Sequence, residues 1–226
     1  MRRHLRARAD RDGDRGTTLI ELLVSMGIFS LCMTVVFGAV ILVMRKSLDV
    51  QKSADAASEL RLALAQIDRQ VRSGNVLFSP ADEASYVGTC VGDAATNSGT
   101  CMRIFTQSNG SEKCVQWQLI DDAAHPGTLL LRTRSWATTW VTTGDLTGWA
   151  TVARGLTLTP SVTPGETNNP FKLEGATTPY KERLLDVRLE SLDKRRGTSV
   201  VIKSSLSGRN TSYGYSSAQC IPVPPA

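Results

Sequence analysis

Twenty-three consecutive residues, Leu22 to Met44, carry no charge, and a carboxylate, Glu21, stands directly before them. At about 1.5 Å per residue, a helix of that length matches the roughly 30 Å hydrocarbon core of a bilayer, so the segment can span. Six arginines (Arg2, Arg3, Arg6, Arg8, Arg11, Arg15) precede the run, and Arg45, Lys46 and Lys52 follow it. The positive-inside bias then keeps the N-terminal side cytoplasmic and sends the remainder outward. From Arg45 on there are 20 Lys/Arg against 17 Asp/Glu over 182 residues, a balance too mild to demand a polyanionic partner. Composition excludes a disordered chain, a collagen-like repeat and a multi-span transporter. It leaves a basic leader, one hydrophobic segment and one exported domain with a single core.

A cleaved secretory signal would use an apolar stretch of about 7 to 15 residues ending in a small-x-small site. This run is longer, and the nearest downstream Ala-x-Ala triplet, Ala54-Asp55-Ala56, lies ten residues beyond it. Glu21 taken alone reads as an interfacial acid, tolerated because the cost of a charge falls towards the end of a span.

Its neighbours give Glu21 a different meaning. The segment Arg15-Gly16-Thr17-Thr18-Leu19-Ile20-Glu21-Leu22-Leu23-Val24 resembles the N-terminal motif of the type IV pilin and pseudopilin family. The resemblance implies cleavage by prepilin peptidase on the cytoplasmic side after Gly16, followed by N-methylation of the new terminus, Thr17. It also implies that Glu21, at mature position five, engages the terminal amine of a neighbouring subunit. A buried carboxylate is costly unless a cation compensates it, so such a pair would set subunit stagger. Two positions depart from common family members: Thr17 stands where many carry Phe, and Gly38 where many major pilins carry a helix-breaking Pro. Glycine there costs about 1 kcal/mol relative to Ala without imposing a kink.

Beyond Met44 the chain has no Pro or Gly until Gly74, and the helix is expected to continue to about Arg72. Leu60, Leu64, Ile67 and Val71 form one apolar stripe that requires a sheet to cover. The segment 60–72 also resembles the corresponding helix of J-type pseudopilins and W-type minor pilins. Past Gly74 the pattern becomes β: Val115, Trp117 and Leu119 alternate with Gln116 and Gln118, and Leu129 and Leu131 with Leu130 and Arg132, as in strands with one buried face. Leu185, Val187 and Leu189 alternate with polar residues before a turn at 193–197, and Val200, Ile202, Ser204 and Leu206 follow, which predicts an antiparallel hairpin. Residues 79–100 and 160–179 read as loops. The fold class is therefore α+β, a long N-terminal transmembrane helix continuing into a helix packed on an antiparallel sheet. The expected divisions are a cytoplasmic leader at 1–16, a transmembrane and assembly helix at 17–44, its outer part at 45–72 and an exported β-rich domain at 73–226.

Cys32 lies in the span, whereas Cys90, Cys101, Cys114 and Cys220 lie in the exported part and fit two disulfides in an oxidising compartment. Three connectivities are open. The preferred one joins Cys90 to Cys101 across a loop and Cys114 to Cys220, which ties down a Pro-rich tail. With no CxxC and only two histidines, His4 and His125, no zinc site, catalytic triad or cofactor is expected, and the adjacent Asp121 and Asp122 read as a solvated turn rather than a calcium site. Trp136, Trp140 and Trp149 with Arg132, Arg134 and Arg154 could stack bases and neutralise phosphates, but core tryptophans and ordinary surface arginines are the favoured reading. The expected function is structural rather than enzymatic: a minor pilin or pseudopilin that assembles in a type IV pilus or type II secretion pseudopilus, at initiation or the tip. Its partners would be prepilin peptidase, other subunits and the inner-membrane platform. The alternatives are a competence-type minor pilin that contacts DNA, and an uncleaved single-pass surface protein.

Overall fold

In the computed structural model the backbone from Leu19 to Ser73 is one α-helix, α1. The structure describes residues 18–107, 110–159, 168–174, 184–193, 198–208 and 218–225. The chain divides into two units, Met1–Gln51 and Lys52–Ala226. The described part of the first is helix alone. Its apolar side chains, Leu19 to Met44, point outward without protein to cover them, which is the state expected of a segment whose solvent is lipid. Three hydroxyls in this stretch donate back to the helix: Ser25 to Glu21 O at 2.8 Å, Ser30 to Met26 O at 2.8 Å and Thr34 to Ser30 O at 2.8 Å. Their donors are thus satisfied without water.

In the second unit the end of α1 is amphipathic. Leu60, Ala63, Ile67 and Val71, spaced by three or four, are buried, and Leu64 packs half-buried beside them. Each full burial of a large aliphatic side chain contributes about 1.5 to 3 kcal/mol. Gly74 ends the helix because the chain must pass close to the sheet: a Cβ there would lie 2.7 Å from Ile104 Cγ2.

Ten strands follow among the described residues: β1 (Gly74–Leu77), β2 (Gly92–Asp93), β3 (Ser98–Gly99), β4 (Cys101–Thr106), β5 (Lys113–Asp121), β6 (Leu129–Ala137), β7 (Ala150–Leu156), β8 (Phe171–Leu173), β9 (Leu184–Asp193) and β10 (Thr198–Ser207). They form one antiparallel sheet in the order β1-β4-β5-β6-β7-β9-β8-β3-β2, with β10 on the free side of β9. The long hairpin β9–β10 pairs all ten residues of each strand, Leu184↔Ser207 to Asp193↔Thr198. Its connecting turn, 194–197, lies outside the described residues, as do parts of the 160–179 segment. Between the pairs Leu129↔Leu156 and Leu131↔Ala153, β7 holds one residue more than β6. Gly155, at φ +65°, takes up this bulge.

One face of the sheet covers residues 60–71 of α1. Met102, Ile104, Trp117, Leu119, Leu131, Leu156, Phe171, Leu173 and the β9 row Leu185, Val187 and Leu189 form a single core with Leu60, Ile67 and Val71. Trp117 Nε1 donates to Gln70 Oε1 at 2.6 Å and fixes the helix against the sheet. The alternation in β5 suggests that the other face is solvated, and here the structure differs: Gln116 and Gln118 are fully buried, as are Arg103 and Arg134. That second face is roofed by residues 78–91 and 218–225, so polar side chains are enclosed and must find partners within the protein. The 79–100 segment is more than a loop, since it contains the 3₁₀ turn Asp82–Ser85 and the short strands β2 and β3. A short helix, α2 (Trp140–Thr143), links β6 to β7.

Candidate assembly segment and the roofed face of the sheet

Helix α1 begins at the motif itself. Thr18 O accepts from Glu21 N at 2.9 Å and from Leu22 N at 3.2 Å, which places Glu21 in the first turn. A carboxylate there faces the positive end of the helix dipole and the unpaired N–H groups of the first turn. The side chain of Glu21 is exposed, with apolar neighbours Leu19, Ile20, Leu22 and Leu23 equally exposed. The arrangement offers an acid at the edge of an apolar cylinder and supplies no cation from its own chain among the described residues. Gly16 and Thr17, the expected cleavage and methylation positions, lie outside the described residues. Neither Gly27 nor Gly38 interrupts the helix, and a Cβ at either would meet nothing within 4 Å.

In the second unit four cysteines form two disulfides, Cys90–Cys101 and Cys114–Cys220, each with Cα atoms 5.6 Å apart. Both sit on the roofed face. The first anchors residues 78–91 to the start of β4, and the second anchors residues 218–225 to β5. Cys32 is the free thiol among the described residues.

Between the two disulfides runs a polar chain that periodicity did not reveal. Glu83, fully buried, accepts from Arg103 Nε at 2.8 Å and from Gln116 Nε2 at 3.2 Å. The Arg103 guanidinium is stacked between the Phe78 and Tyr86 rings, 4.5 and 4.4 Å from their centroids. Gln116 Oε1 in turn accepts from Arg134 Nε at 2.9 Å. Burial drives the Glu83 carboxyl above its ordinary range, against the pull of Arg103 and Gln116. Burial, followed by repulsion from Arg132, draws Arg134 down to about 10, which leaves it cationic at neutral pH. The sequence shows only polar residues alternating in β5, Gln116 and Gln118, and in β6, Arg132 and Arg134; their pairing across strands with Arg103 of β4 has no local signature.

The tryptophan and arginine group is consumed internally. Trp149 lies under both Arg132, at 4.1 Å, and Arg134, at 4.3 Å. Arg132 donates to Gln118 Oε1 at 2.9 and 2.6 Å, Trp136 is buried, and Trp140 Nε1 donates to Pro222 O at 2.8 Å. Arg154 is elsewhere, bonded to Asp122 at 2.9 Å. Asp122 is buried and also meets His125 Nδ1 at 3.0 Å, so its carboxylate is engaged by side chains. Among the described residues, no group of three or more His, Cys, Asp or Glu is placed to hold a metal ion.

Residues 11–37 match the family model of the prokaryotic N-terminal methylation motif. No curated protein and no solved structure matches the chain. The match covers Gly16, Thr17, Glu21 and the first turns of α1, and it supports a type IV pilin-like prepilin with a structural role. Together with an apolar helix long enough to cross a membrane, it is consistent with a single-pass, membrane-anchored protein.

Proposed function

We propose that the chain is a minor pilin or pseudopilin, inserted in the cytoplasmic membrane as a precursor, cut after Gly16 by prepilin peptidase and methylated on Thr17. It then assembles through its N-terminal helix into a type IV pilus or a type II secretion pseudopilus, on the inner-membrane assembly platform. The observation that carries this reading is the motif match at residues 11–37 joined to the placement of Glu21 in the first turn of an exposed apolar helix. A methylated terminal amine remains cationic, and it is a partner for Glu21, beside which the described residues of its own chain place no cation. An unpaired acid costs less at the end of a span, where Glu21 stands, than at its centre, but burying it between packed helices without a cation restores a cost. Packing helix against helix in a filament therefore favours the stagger that brings Glu21 to a neighbour's amine. The 60–72 resemblance supports a place among the J-type and W-type subunits, and the large exported unit supports a low-copy position at initiation or at the tip.

Intact-mass and N-terminal analysis of protein from native membranes tests processing, and incorporation of a Glu21→Ala variant into filaments tests assembly. A terminus at methylated Thr17 together with a loss of incorporation is the expected result. A retained leader in cells with active prepilin peptidase would make the chain an uncleaved anchor and would overturn the proposal.

A further inference from the structure

We propose that the roofed face of the sheet in the second unit is a recognition site for proline-rich peptide segments, and that the chain's own residues 221–225 occupy it as a tethered ligand. The segment is Ile221-Pro222-Val223-Pro224-Pro225, in which three of five residues are proline. Proline offers a carbonyl and no N–H. The wall it lies on offers the complement. Arg134 donates through Nη1 to Pro225 O at 2.5 Å and through Nη2 to Pro224 O at 2.6 Å. Trp140 Nε1 donates to Pro222 O, and Arg103 Nη1 donates to Cys220 O at 3.1 Å. Arginine and tryptophan side chains only donate. The carbonyls of the three prolines thus meet side chains that only donate, and a non-proline residue at 224, which is buried, would bring an N–H that these side chains cannot accept.

The apolar contact has the same character. Val223, half-buried, packs against two apolar clusters, one of Phe105, Cys114, Trp136 and Cys220 and one of Val87, Cys90 and Cys101. These hydrogen bonds and this packing are noncovalent contacts that a separate peptide of the same chemistry can make. The covalent link, Cys114–Cys220, lies at the base of the segment.

The wall is also held in place by groups other than the segment. Glu83 and the Phe78 and Tyr86 rings hold Arg103, while Gln116 and the Trp149 ring hold Arg134. Donors that are aimed before a ligand arrives lower the ordering cost of binding. A tethered ligand acts at an effective concentration in the millimolar range, so the native tail suppresses binding in trans until it is displaced. All of these contacts lie within the second unit, apart from the assembly segment.

The test uses the full chain in detergent micelles and a fluorescein-labelled peptide, Ile-Pro-Val-Pro-Pro-Ala, followed by anisotropy. Two variants open the site: a chain ending at Cys220, and the full chain carrying Val223→Asp, which expels the tail by the cost of burying a charge. Both are expected to bind the peptide saturably, and the unaltered chain at least about tenfold more weakly. Adding Trp140→Phe, which keeps the ring and removes one donor, should weaken binding about three- to tenfold. A peptide with its prolines replaced by alanine should lose more than that. If the shortened chain does not form both disulfides, the Val223→Asp chain decides alone. No saturable binding by a variant with both disulfides intact overturns the proposal, as does binding that is indifferent to Trp140→Phe and to loss of the prolines.

Discussion

Arg103 Nε lies 2.8 Å from Glu83 Oε1, and both side chains are almost wholly removed from solvent, at 2% and 0% exposure. Desolvating two charges costs several kcal/mol each, and the pair is sustained because every neighbour contributes: Gln116 to the carboxylate, Phe78 and Tyr86 to the guanidinium, Cys220 O to its far nitrogen. Removing one partner strands the other. Glu83→Gln is expected to cost about 3 to 5 kcal/mol in denaturant unfolding, because the Arg103 charge is left buried without compensation. The double change Glu83→Leu with Arg103→Met should recover most of that loss, and a cycle without such recovery would remove the pair from the account of this face.

The two disulfides should differ in what they contribute. Cys114–Cys220 joins residues 106 apart, and Cys90–Cys101 residues 11 apart. On the loop-entropy account these correspond to about 4.7 and about 3 kcal/mol respectively. Replacing Cys220 by Ser should therefore lower stability more than replacing Cys101 by Ser, as read from the midpoint of urea unfolding at constant slope. Equal effects would place the contribution in native packing around Val223 instead.

Residues 78–99 fold closely on themselves by virtue of missing side chains. A methyl group at Gly92 would collide with the carbonyl oxygen of Ala81, and one at Gly99 with that of Pro80. Both obstacles are backbone, which cannot rotate aside as a side chain can. Gly92→Ala and Gly99→Ala should each displace this segment and speed proteolysis within it, whereas Gly88→Ala, where a Cβ meets nothing within 4 Å, should leave cleavage rates unchanged.

What was legible in the sequence follows the range of the forces involved. The stripe Leu60, Ile67 and Val71 and the row Leu185, Val187 and Leu189 are local periodicities, and both lie in the core. Gln116 and Gln118 obey the same alternation, yet are buried, because the cover over them comes from residues about thirty positions earlier and a hundred later. Strands of two or three residues, β2, β3 and β8, carry no pattern to read; β8 exists through its pairing with β9. The Glu83–Arg103 pair, twenty positions apart, has no local signature either. Of the assembly segment, Glu21 and the apolar run were legible because charge and length are properties of the chain itself.

Asp122 supplies a pH dependence with a definite sign. Burial raises its carboxyl, but hydrogen bonds from His125, Ala124 N–H and Arg154, with the Arg154 charge, outweigh that and hold it below the ordinary value of 3.8. A depressed native value means that the ionised form is stabilised by folding. The contribution is therefore present above the unfolded value and is lost as pH falls through the folded one, at and below about pH 4. Asp122→Asn should flatten the acid limb of the stability profile below that pH, relative to the parent chain. Arg154→Gln should do so in part, since the His125 and Ala124 contacts remain. Unfolding midpoints recorded from pH 2 to pH 6 check this, and an unchanged acid limb in Asp122→Asn would assign the acid sensitivity to other carboxylates.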